Sequence, residues 1–145
     1  MLSQAPADAA AALPTCNVTS VLLVEDDEIN RFVATSVLID LGYWVDGAEN
    51  GTEAVRLAAE RRYDAILMDC DLPEIDGFEA TRRIRYDEEN RGRAPVPIIA
   101  LTAFALQGDR EPCLTRGMDD YLAKPFKHPA LKAILEKWIG PPAKA

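Results

Sequence analysis

The sequence is short of histidine and cysteine, of basic charge, of long apolar runs and of phosphate-cradling glycine motifs, and each shortage closes off a class of function. It holds one histidine, His128, and three cysteines, Cys16, Cys70 and Cys113. The cysteines are odd in number, far apart and without a C-x-x-C pair. That argues against a disulfide framework and a zinc site, and it fits a reducing cytoplasm. No apolar run approaches the roughly 18 residues that a membrane-spanning helix needs. The first 17 residues are rich in Ala and Pro but have no basic n-region and no sustained apolar stretch. They read as a tail or linker rather than a signal peptide. Lys and Arg number 16 against 24 Asp and Glu, a net charge of −8. A nucleic-acid groove needs clustered cations, so none is expected. Neither G-x-G-x-x-G nor G-x-x-x-x-G-K-[ST] occurs, which excludes the usual nucleotide cradles, and the calcium-loop spacing of an EF-hand is absent.

What is present is one domain's worth of chain: 145 residues, 48% apolar and 28% charged. The runs Val21–Val24, Ala65–Met68 and Val96–Leu101 are short and continuously apolar, as strands buried on both faces are. Residues 43–48 and Tyr121–Ala123 read as weaker strands. Between them lie helical periods. Residues 28–41 carry Ile29, Phe32, Val33, Val37 and Leu41 as a candidate buried stripe, ended by Gly42. Asn50 with Glu53, and Asp76 with Glu79, have the spacing of an N-cap and an N3 acid. The first pair opens a helix that buries Ala54, Leu57 and Ala58 and ends near Arg62; the second opens one through about Tyr86. The charged stretch Asp87–Pro95 reads as a loop. A helix from Asp109 to Arg116 accommodates Pro112 in its first turn. Pro129 at N1 opens a last helix with the stripe Leu131, Ile134, Leu135 and Trp138. Both tryptophans read as packing residues. Strand and helix thus alternate five times, which predicts an α/β fold: a five-stranded parallel sheet, doubly wound, with helices on both faces.

In such a sheet all strand carboxyl ends meet at one edge. Glu25 and Asp26, Asp69, Thr102 and Lys124 each stand at a strand end. Alone, each has an ordinary explanation: a strand-terminal Asp is usually a cap, and a Lys before Pro is usually a surface charge. Together they put three carboxylates where only a cation relieves their repulsion. Mg²⁺, or Mn²⁺, suits oxygen ligands and leaves room for a phosphate oxygen. A carboxylate beside it can attack phosphorus, with Lys124 and Thr102 holding the product's oxygens. Asp27 reads as a helix cap, Cys70 as a packed residue and His128 as a loop or cap residue.

Over residues 20–139 the sequence resembles the receiver domain of two-component response regulators, of the chemotaxis-protein type. Five landmarks in order carry the resemblance: Val24-Glu25-Asp26, Met68-Asp69, Leu72-Pro73 with Asp76-Gly77, Ala100-Leu101-Thr102-Ala103, and Tyr121-Leu122-Ala123-Lys124-Pro125. The loops Glu25–Arg31 and Met68–Gly77 are most similar to receivers of hybrid sensor kinases. The resemblance implies a flavodoxin-like (βα)5 fold flanked by tails at 1–19 and 140–145. It implies Asp69 as phosphoacceptor, with Asp26 ligating Mg²⁺ directly, Glu25 through water and Asp71 through its main-chain carbonyl. Thr102 and Lys124 would bind the phosphoryl group, Tyr121 would swing inward with Thr102, and the peptide before Pro125 would be cis. It also implies a cytoplasmic signalling domain that catalyses only its own phosphorylation and dephosphorylation. Its partners would be a histidine kinase or histidine phosphotransfer protein and a downstream protein target, contacted through the 109–139 face. No nucleic acid or membrane contact is expected. The chain would be a stand-alone regulator or a receiver cut from a hybrid kinase. Two positions depart from the common pattern: Asp71 adds negative charge beside the acceptor, and Phe104 is bulky and would shield the phosphoryl group. An aspartyl phosphatase would want Thr or Val where Pro73 stands. An unphosphorylated scaffold would usually lack the acceptor or the acidic pair.

Overall fold

The expected strands form, and burial explains why. In the computed structural model, which describes residues 19–102, 117–124 and 126–140, β1 (Ser20–Val24), β3 (Ala65–Asp69) and β4 (Ile98–Thr102) hold no exposed residue. The weaker runs become β2 (Trp44–Ala48) and β5 (Asp120–Ala123). All pairings are parallel, in the order β2-β1-β3-β4-β5. Alternate side chains feed two cores, as a period of two requires. Leu22, Val24, Ile66, Met68, Ile98 and Ala100 pack against α2 (Gly51–Glu60) and α3 (Gly77–Arg91). Val21, Leu23, Ala65, Leu67, Ile99 and Leu101 pack against α1 (Glu28–Asp40) and α4 (His128–Ile139). A slip of one residue would exchange the two sets, so the register is firmly held. The expected helix at 109–116, Pro112, Cys16, Cys113, Phe104 and the peptide before Pro125 lie outside the described residues.

The caps also match. Asp27, Asn50 and Asp76 accept the N–H groups of Asn30, Glu53 and Glu79 at 2.8, 2.8 and 2.9 Å. Of the α2 stripe, Ala54 is buried, whereas Leu57 and Ala58 are half-buried.

Four expectations need correction. The stripe of α1 is wrong at its N-terminal end: Ile29 and Phe32 are each 72% exposed and Val33 54%. The residues that meet the sheet are Ala34 and Leu38, helped by Val37 and Leu41. Both sets have helical spacing, but at about 100° per residue they fall on different sides of the helix. A small alanine, not the large residues, lets α1 lie close to the sheet. Secondly, α3 does not end at Tyr86. It runs on to Arg91 and is capped by left-handed Gly92. The charged stretch is helical because Glu88 is buried and tethered: it pairs with Arg85 at 2.9 Å and accepts the Val96 N–H at 2.9 Å. Asp87 and Arg91 add an i,i+4 pair at 3.0 Å. Thirdly, Trp44 is 58% exposed on the outer strand, not packed. Fourthly, α4 begins at His128, behind Lys127 as N-cap, so Pro129 is its second residue.

Two stability predictions follow from these contacts. Glu88→Ala leaves Arg85 with one carboxylate fewer and a buried amide unpaired, so urea denaturation should show a loss of about 3 kcal/mol. Asp120 ties α4 to β5. Burial by itself would raise its pKa, but the Trp138 indole N–H, the Tyr121 N–H and the Lys137 ammonium all donate to it and hold it below the ordinary 3.8. A depressed carboxyl stabilises the fold above its unfolded value and loses that contribution as pH falls through the folded one. Wild type should therefore melt above Asp120→Asn at pH 6, and the gap should close as pH drops below 3.8, measured by thermal unfolding.

Candidate phosphoacceptor site

The strand order reverses between β1 and β3, and open α/β sheets bind ligands at such a switch point. Here that place is acidic. Asp69 is the last residue of β3 and is 4% exposed. Glu25 follows β1, is 3% exposed, and donates its N–H to the Ala48 carbonyl at 3.0 Å. Asp26 is exposed beside it. One carboxylate oxygen from each of Glu25, Asp26 and Asp69 lies within 4.8 Å of the other two. Asp27 stands apart as the cap of α1.

The β5 register brings in the cation. Thr102 pairs with Ala123, and the next residue, Lys124, donates its N–H to the Thr102 carbonyl at 2.7 Å. The Lys124 ammonium then reaches Glu25 at 2.7 Å and Asp69 at 3.1 Å. These contacts lift the Lys124 pKa despite burial, which acts to lower it. Glu25 is also lifted, first by burial and then by its proximity to Asp69, against the pull of Lys124. One ammonium therefore does not neutralise two buried carboxylates and the exposed Asp26. The second Asp69 oxygen accepts the Asp71 N–H at 3.0 Å. Asp71 itself is exposed, and Thr102 is buried at the end of β4. Tyr121, half-buried beside Ala100, packs against the core on the α2–α3 side. Cys70 is half-buried against the same core. A cleft of about 380 Å³ opens next to Glu25 and Lys124, walled by Val33 and Phe126.

Sequence reasoning missed the part played by Gly77. In the sequence it stood only as half of the Asp76-Gly77 landmark, beside the cap of α3. A Cβ at this position would lie 2.3 Å from the Asp69 carbonyl oxygen. The start of α3 thus presses on the Asp69 backbone, a closeness open only to glycine. The Asp-Gly pair was visible in the sequence, but the partner eight residues upstream was not.

The model of the response regulator receiver domain matches residues 21–136. The chain belongs to the response regulator receiver family. Its curated relatives include the polar-differentiation response regulator DivK of Brucella anthropi, 39% identical over 83% of this chain and 96% of DivK. They also include a probable histidine kinase of rice, 36% identical over 88% of this chain but 16% of the kinase. The chain spans less than a fifth of the length of several of these longer relatives. Among solved structures, the receiver domain of a Pseudomonas aeruginosa sensor histidine kinase, with a magnesium ion in its active-site cleft, is 57% identical at a TM-score of 0.76, covering 85% of this chain and 98% of that one. The co-crystal structure of the Saccharomyces cerevisiae phosphotransfer protein Ypd1 with the Ssk1 receiver matches at 37% identity and a TM-score of 0.80, covering 85% and 90%. This receiver therefore has the doubly wound fold its landmarks implied and is a module of two-component phosphorelay signalling. Among the described residues no helix is long and apolar enough to cross a membrane.

Proposed function

We propose that this receiver accepts a phosphoryl group on Asp69 from a phosphohistidine, in a reaction that depends on Mg²⁺ or Mn²⁺. The observation that carries the reading is the meeting of three carboxylate oxygens, two of the residues buried, against one ammonium. The donor set fits a hard divalent cation: it is all oxygen, it carries excess negative charge, and Asp26 faces solvent. Asp26 and Asp69 would hold the ion directly, Glu25 through water, and the Asp71 main-chain carbonyl would complete the protein's share. Bound there, the cation supplies positive charge to the phosphoryl oxygens.

The chain's own residues do the rest. A carboxylate oxygen of Asp69 forms the new P–O bond as the N–P bond of the donor imidazole breaks. Lys124 already touches Asp69 and needs to shift little to hold an equatorial oxygen; the Thr102 hydroxyl holds another. Burial of Asp69 keeps bulk water from the product. Thr102 and Tyr121 lie on adjacent strands, two positions apart in register. A pull on Thr102 therefore repacks Tyr121 and switches the 109–139 face for a downstream partner, a population shift between two arrangements.

The donor is a histidine kinase or a histidine phosphotransfer protein, as the yeast complex supports by analogy. It covers the exposed apolar side of α1, because Val33 of that side also walls the cleft beside Lys124. Identity to a sensor-kinase receiver favours a module of a hybrid kinase that passes its phosphoryl group to a phosphotransfer protein. The receiver is a signalling phosphoacceptor that turns over no external substrate. Beryllofluoride with Mg²⁺ tests the reading against an unphosphorylated scaffold. Binding should perturb the amide resonances of Asp69, Thr102 and Lys124. Unchanged spectra would favour the scaffold.

A further inference from the structure

The acidic cluster is braced from behind by a residue that is not part of it. Arg31, in the first turn of α1, donates from its guanidinium to the Glu25 carbonyl at 2.8 Å. Its backbone N–H donates to the Asp27 carbonyl at 2.9 Å, so one residue grips the β1–α1 turn at two points. Arg31 is half-buried, and its stem passes beside Gly47 of β2. A Cβ at position 47 would lie 3.4 Å from the Arg31 Cδ and 3.9 Å from its Cγ and Nε. The other side of the turn is fixed too, by the Glu25 N–H on Ala48. The Glu25 carbonyl belongs to the peptide from which Asp26 departs. Holding that oxygen holds the plane that aims both carboxylates.

We propose that Arg31 is a positioning residue for the cation site: it orients the Glu25–Asp26 peptide toward Asp69, with its stem lying against Gly47, where a side chain larger than a methyl group would crowd it. The proposal rests on the reading of Glu25, Asp26 and Asp69 as that site. It has a sign that separates it from a mere charge effect. As a positive charge, Arg31 opposes a divalent ion, so its removal would tighten binding. As the donor that aims the ligands, its removal weakens binding, as loss of an outer-shell partner does.

The test is Mg²⁺ titration calorimetry on the unphosphorylated receiver, with thermal unfolding in the absence of metal as the measure of folding. Arg31→Met keeps the apolar stem and removes the donor. Its Mg²⁺ Kd should rise about tenfold or more. Gly47→Val sits on the exposed outer strand and crowds the Arg31 stem. It should weaken Mg²⁺ binding in the wild-type background and add nothing to Arg31→Met, because both act through one contact. An unchanged or tighter Kd for Arg31→Met overturns the proposal, as does an additive Gly47→Val. If Arg31→Met does not fold, Gly47→Val alone decides: a wild-type Kd sinks the idea. Wild type that binds no Mg²⁺ would instead remove the cation-site reading beneath it.

Discussion

Asp69→Asn should abolish labelling by acetyl phosphate while leaving the receiver folded. The amide keeps the shape of the carboxylate, and its single carbonyl oxygen can still accept one of the two bonds that Lys124 and the Asp71 N–H donate to separate Asp69 oxygens at 3.1 and 3.0 Å. It lacks the anionic oxygen that the proposed reaction needs to attack phosphorus. The variant should melt near or above wild type, because one of three crowded carboxylates has gone. Glu25 should then titrate closer to its usual range, since proximity to Asp69 is one of the causes that lift it. Mg²⁺ binding should weaken sharply, as a charged ligand is lost. The measurement is incorporation of ³²P with and without Mg²⁺. Label that persists in Asp69→Asn, or that ignores Mg²⁺ in wild type, contradicts the proposed acceptor.

The second large effect concerns α1. Ile29→Ala with Phe32→Ala should leave acetyl phosphate labelling unchanged but cut kcat/KM for transfer from a phosphorylated protein donor by roughly a hundredfold. Each residue is 72% exposed in the receiver, so its removal touches little of the fold; stability should move by no more than about 0.5 kcal/mol. Alanine also preserves the helix. Large apolar side chains at the centre of an interface contribute about 2 kcal/mol or more each when a partner desolvates them, and pairs rarely add in full. A small molecule reaches Asp69 without covering α1, whereas in the proposed docking a protein donor lies over it. Equal transfer from the protein donor to both receivers would remove α1 from the docking surface.

The contrast between α1 and α3 shows where sequence reasoning held and where it failed. Ile29, Phe32 and Val33 have core-like identity and helical spacing, yet they face solvent. Periodicity identifies an apolar side of a helix, but it cannot say whether the sheet or a partner covers it. That depends on which residue is small enough for close approach, and here it is Ala34. In α3 the misleading feature was charge. Asp87–Arg91 looks like a loop until Glu88 is seen to be buried with Arg85 and the Val96 amide as partners. Arg85 stands at helical i,i+3 spacing from Glu88, but Val96 is eight residues on, beyond the helix, and no helical pattern points to it. The site was better marked, because strand ends coincide with it. The turn signals that end β1, β3, β4 and β5 are local, and the parallel arrangement sends all four to one edge.

By itself, the sequence determined the alternation of strands and helices, the two-sided burial of β1, β3 and β4, and the set Glu25, Asp26, Asp69, Thr102 and Lys124. All of these rest on local chemistry: apolar runs too short for anything but a strand, caps at fixed spacing, and polar residues at strand ends. The tertiary structure alone decided how those residues share charge. Lys124 ties two carboxylates, Gly77 presses on the Asp69 backbone, and Arg31 holds the Glu25 carbonyl. Each joins segments whose approach is set by register and helix packing. Distances of that kind are properties of the folded chain, because no spacing in a linear sequence fixes how closely two backbones meet.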